Sequence, residues 1–99
     1  MLAIPLAAVP SQALTVVLGD QVSQISVRQL AVGVAVDLSV NDSPIIRGVL
    51  AFNLNRLVRS AYLGFIGDLA FVDMEGNADP DYSGMGTRYQ LCYFPPDEL

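Results

Sequence analysis

The chain has 99 residues, 53% of them apolar and 15% charged, and its ten acids stand against five arginines with no lysine or histidine. This length suits a single β domain spanning 1–99 around one core, and the composition is too apolar for disorder. The formal charge of −5 leaves no basic stripe to neutralise a phosphate backbone, which disfavours nucleic-acid binding, while the lack of histidine leaves neither a Cys–His catalytic pair nor the usual zinc ligand sets.

The opening MLAIPLAAVP is apolar but has no basic start and contains Pro5 and Pro10. It is therefore expected to be neither a secretory h-region nor a spanning helix, and the protein is expected to be cytosolic when made. Residues 1–11 and 95–99 are expected to be extended termini. From residue 12 the apolar positions recur with a period of two, the mark of a strand with one buried face. Leu14, Val16 and Leu18 alternate with Thr15 and Val17, and Gly19-Asp20 turns the chain into a second run over residues 22–28. Val22 and Ile25 fall out of phase in that run, which predicts a bulge or a late strand start near Ser23-Gln24.

Val34, Val36, Leu38 and Val40 form the cleanest alternation, closed by the turn tetrad Asn41-Asp42-Ser43-Pro44. Residues 45–54 then read as a returning strand in which Gly48 marks a bend. The stretch NRLVRSAYLGFIG, 55–67, breaks the alternation and predicts an irregular or short helical connection around Leu57, Ala61 and Tyr62. Strand character resumes over 68–74 and again over 87–94, where Pro95-Pro96 ends it. Six strands in hairpin-like pairs predict an all-β fold, a small antiparallel barrel or sandwich.

The acids crowd into the C-terminal part. Residues 1–59 carry three acids and four arginines, a balance of +1, and residues 60–99 carry seven acids and Arg88, a balance of −6. Asp73, Glu75, Asn77, Asp79 and Asp81 alternate as a calcium loop would, but the sixth-position glycine and the terminal glutamate of an EF-hand are missing. The expected reading is a solvated connector with no metal, turned by Glu75-Gly76-Asn77 and continued by Asp79-Pro80-Asp81. Gly84 and Gly86 lead into a strand instead of a helix, so they make no dinucleotide fingerprint. No neighbouring base activates Cys92, a tyrosine or a serine, so no enzyme and no cofactor are expected. Cys92 itself is expected to be a buried strand residue.

The apolar excess and thin charge predict a surface that faces another subunit, and hence assembly. Aromatic residues dominate well-packed interfaces, which makes Tyr62, Phe65, Tyr82, Tyr89, Tyr93 and Phe94 contact candidates. The residues named for an interface are Tyr62, Phe65, Tyr82, Met85, Arg56 and Arg59, with Tyr82 and Met85 near the tip of the acidic loop. Arg47, Arg56 and Arg59 otherwise read as solvated surface arginines.

The order of motifs, Ile4-Pro5-Leu6, then PSQAL with TVVLGDQ, later PIIRGVLA, and DPDYSGMGTRYQLCYF near the chain end, resembles the small baseplate plug proteins of contractile-tailed phages over nearly the whole chain. The resemblance implies a β-rich structural virion protein in or near the central hub of the tail baseplate. Its implied partners are hub, tail tube or spike proteins and further copies of the chain in a homo-oligomer within the assembly, with no nucleic acid and no membrane. The competing expectation is a stand-alone β module that takes a peptide or small ligand in its barrel.

Overall fold

A computed structural model describes residues 2–59 and 63–98. Among them the fold is all-β, with β1 (Leu2–Ile4), β2 (Ser11–Leu18), β3 (Gln21–Leu30), β4 (Gly33–Val40), β5 (Ser43–Ala51), β6 (Asp68–Asp73) and β7 (Tyr89–Phe94). They form two antiparallel sheets, one ordered β2-β3-β4-β5 and the other β1-β7-β6.

The four-stranded sheet is a meander built on two-residue turns. Gly19 and Asp20 close β2–β3 with φ of 56° and 61°, and Asn41 and Asp42 close β4–β5 with φ of 49° and 67°. Positive φ at both central positions is what a type I′ hairpin needs, and Gly, Asn and Asp are the residues that accept it at least cost. The third turn, Ala31-Val32, joins β3 to β4 through the pair Leu30–Gly33. Strand neighbours in sequence are thus neighbours in space, and the two expected hairpins merge into one sheet.

Register then decides what is buried. Leu14, Ile25, Leu38 and Ile46 lie side by side across the meander, and Val27, Val36 and Val49 form the next row. In the smaller sheet Ile4, Leu91 and Phe71 make the corresponding row. These rows belong to one apolar cluster, so two open sheets share a core between them and the fold is a sandwich and not a closed barrel.

β2 and β3 pair without interruption from Ser11–Arg28 to Leu18–Gln21, so there is no bulge near Ser23-Gln24. Val22 falls out of phase because it lies opposite Val17 on the outer, exposed face. The irregularity sits instead in β5, where the register shifts on both sides of Leu38–Ile46. Gly48 has φ 61° there, and its freed N–H is taken up by the Asp37 carboxylate, which also meets Arg28 Nη2 at 3.2 Å.

Residues 2–4, expected to be part of an extended terminus, are extended and add a third strand beside β7. The connection from β5 to β6 is irregular over its described residues, and Leu57, Val58 and Phe65 are buried in it. No helix of the described residues is long and apolar enough to cross a membrane.

Phe71 is among the largest fully buried side chains, and Phe71→Ala should lower the stability of unfolding by about 3–5 kcal/mol in a denaturant titration. Val32→Ala, in the exposed turn between β3 and β4, should stay within about 0.5 kcal/mol of the parent.

Candidate functional site

β6 reads DLAFVD, and the aspartates at its two ends are buried while the strand between them packs into the core. Each carboxylate is surrounded by donors. Asp68, 1% exposed, accepts from the backbone N–H of Val58 (2.8 Å) and Leu69 (2.7 Å) on Oδ1, and from the N–H of Arg59 (2.8 Å) and Arg56 Nε (3.1 Å) on Oδ2. This fixes the loop that enters β6. Asp73 accepts from Glu75 N–H and Arg88 Nε on Oδ1 and from Ala78 N–H and Arg88 Nη2 on Oδ2, all within 2.9 Å. The fork of the guanidinium on both oxygens is the strong form of this pair. It fixes the loop that leaves β6 and ties it to the residue just ahead of β7.

The Arg88 guanidinium beside Asp73, followed by the two backbone N–H donors, holds the Asp73 carboxyl far below its ordinary value of 3.8 against the opposing effect of burial. Asp81 is also held low, first by the Ser83 N–H and then by the Ser83 hydroxyl, because its side chain caps the 3-10 turn Tyr82–Gly84. Asp79 accepts from the Asn53 N–H at 2.9 Å, and Asn53 Oδ1 in turn accepts from the Asp73 N–H at 2.9 Å. Asp73, Asp79 and Asp81 are therefore acceptors for protein donors. Among the described residues no group of three or more Cys, Asp or Glu side chains is gathered as a cation would require.

Asn53 also bridges Phe71 in a parallel pairing, and Leu54 N–H and Leu57 N–H reach the Phe71 and Leu69 carbonyls at 2.8 and 2.9 Å. The segment 53–57 thus runs along the open edge of β6. Leu54 in this segment, Phe52 just before it and Met74 just after β6 are exposed, Leu54 to 63%.

A family model described as cyanophage baseplate Pam3 plug gp18 matches residues 1–96. The chain belongs to this family. No curated protein matches it. Membership in the plug family supports a structural, non-enzymatic role in the baseplate, association with other baseplate proteins and a location in the virion tail.

The residues named from sequence for an interface fall in different places. Phe65 is 3% exposed and packs edge to face on Tyr93 with ring centroids 5.7 Å apart, so it is core. Met85, 2% exposed, is core as well and not a loop tip, because the bridge Met85–Tyr89 folds the loop back onto β7. Tyr89 and Tyr93 are buried with them. Tyr82 is half-buried, held by its N–H on Gln29 Oε1 at 3.0 Å. Arg56 and Arg59 are exposed, but Arg56 is paired with Asp68 and is more than a solvated cation, and Arg59 Nε donates to the Arg56 carbonyl. Tyr62 lies outside the described residues. Cys92 is buried, and burial pushes its thiol up, away from nucleophile chemistry.

Sequence reasoning missed the structural aspartates and the amides that join the sheets. Gln21 donates to the Gly64 carbonyl and accepts from the Ile66 N–H, each at 2.8 Å. Gln12 closes a two-way pair with the Ala7 backbone. The available signal was the acid at each end of an otherwise apolar six-residue strand.

Asp73→Ala should raise amide exchange at Glu75 and Ala78, and Asp68→Ala should do so at Val58 and Arg59, because each loses a buried acceptor. The pH dependence has a definite sign. The folded-state value of Asp73 is depressed, so its stabilisation is complete above its ordinary value of 3.8 and is lost as pH falls below that toward the folded value. An acid titration of the Asp73→Asn variant should lack that component of the loss below about pH 4.

Proposed function

We propose that the protein plugs or bridges the central hub and tube region of the tail baseplate, as a homo-oligomer held by protein contacts to hub, tail tube or spike proteins. The family match over residues 1–96 is the observation that carries this reading. The surface supports it. Phe52, Leu54 and Met74 expose apolar side chains beside segments whose backbone is fixed by Asp68, Asp73 and Asn53, and apolar groups held on a fixed backbone suit docking. Arg56, Arg59 and Tyr82 border the same loops and remain candidates for contact.

The role is mechanical. Contacts of moderate area on a preformed sandwich hold the distal tube in its resting arrangement and are broken when the baseplate rearranges. The ligand-module alternative is less favoured by the architecture, which among the described residues is two open sheets around one apolar cluster.

Co-expression with hub, tube and spike proteins from the same genome, followed by affinity capture, should recover at least one of them with this protein. Leu54→Glu with Met74→Glu should weaken that capture tenfold or more while leaving the far-UV circular dichroism unchanged. Failure of every tail component to co-purify would overturn the proposal.

A further inference from the structure

A sheet ends in two edges, and each edge carries unpaired backbone groups unless something blunts it. Two sheets give four edges here, and three of them are managed. β1 is only three residues long. β6 is flanked by the segment 53–57 through hydrogen bonds to the Phe71 and Leu69 carbonyls. β5 holds Pro44, Arg47 and two register shifts around Ile46, all of which disrupt a regular ladder.

β2 has none of these devices. Its sequence SQALTVVL has no charge, no proline and no bulge over eight residues, and among the described residues its strand neighbour is β3 alone. The type I′ turn makes Leu18–Gln21 the hydrogen-bonded closing pair, so even-numbered positions turn their N–H and C=O toward β3. The bond from Gln29 N–H to the Pro10 carbonyl, in the same register, follows this parity. The backbone groups of Ser11, Ala13, Thr15 and Val17 therefore point off the edge. On the inner face Leu14 and Val16 pack against the core but are only half-buried, since no strand lies beyond them.

We propose that β2 is the interface between two copies of this chain, paired antiparallel to its own mate across a twofold axis centred on Thr15. This deepens the homo-oligomer part of the reading above by naming its surface. In that register Thr15 faces the partner's Thr15 in a hydrogen-bonded pair, Leu14 faces the partner's Val16 on the inner side, and Ala13 faces the partner's Val17 on the outer side. The apolar pairs sit next to the axis, and farther out Leu18 faces the partner's Gln12. The absence of charge at the axis is what allows the strand to be its own partner, because a charge at position 15 would face its own like charge. A twofold contact of one strand with itself closes, so it yields a dimer with an eight-stranded continuous sheet and no further free edge of this type. The half-exposed Leu14 and Val16 gain the cover that the isolated sheet lacks.

The test uses the full chain. Sedimentation or light scattering across micromolar concentrations should show a dimer for the parent. Thr15→Pro removes an outward N–H and Thr15→Lys places two like charges face to face on the axis, and each should raise the dimer dissociation constant at least tenfold. Circular dichroism and amide exchange of β4 should stay at parent values, which separates lost pairing from lost folding. A Thr15→Cys variant should be joined by a short bis-maleimide into a covalent dimer, with buried Cys92 unreactive. A parent that is monomeric throughout, or a parent oligomer that both edge variants leave intact, overturns the β2 interface. In the second case the homo-oligomer reading stands and only its surface is wrong, whereas recovery of tail proteins tests the baseplate reading on its own.

Discussion

A carboxylate buried at the end of a strand has to be surrounded by donors, and β6 carries one at each end. Asp68 gathers the backbone of the incoming loop, and Asp73 gathers the backbone of the outgoing loop together with Arg88. β6 is thereby placed between β7 and the segment 53–57, which keeps Leu69 and Phe71 in the core. Loops fixed in this way act as surface with a defined shape. The same carboxylates that stabilise the fold are consumed as acceptors, which is why the most acidic part of the chain is structural in character.

The two sheets divide the labour. The meander is assembled from turns of two residues and is local in sequence, whereas the smaller sheet brings the first strand beside the last one. Amide side chains join them at separate points: Gln21 to the segment 64–66 at one, Gln12 to Ala7 and Gln29 to Tyr82 at others. Near the first of these, Gly67 has φ 105° and a side chain there would press on the Phe94 carbonyl and the Tyr93 ring. That close approach lets Tyr93 donate its hydroxyl to the Ile66 carbonyl and lets Phe65 stack edge-on beside it. The result is a sandwich with exposed apolar side chains on β2, beside β6 and at several turns and loops, among them Val32 and Ile66.

Much of the fold was legible because its signals are short-ranged. Alternation over 14–18 and 34–40, the turns Gly19-Asp20 and Asn41-Asp42, and the stop at Pro95-Pro96 each report a local backbone preference. The candidate site was less legible. Phe65 and Met85 read as contact residues by type, yet both are core, because aromatic and thioether side chains serve interiors and interfaces alike. Val22 suggested a bulge at Ser23-Gln24, while the true irregularity lies around Arg47-Gly48, where Asp37 supplies the acceptor.

By itself, the sequence determined the all-β class, the meander turns and the lack of histidine, lysine and basic surface. Tertiary structure alone decided that Asp73 and Arg88 form a fork, that Asp68 holds the loop before β6, that residues 2–4 pair with β7, and that β2 has no second strand neighbour among the described residues. The physical reason is range. A turn or an alternation depends on torsions and side-chain parity within a few residues, whereas a buried ion pair, a third strand and a free edge depend on which distant segments come to lie beside one another.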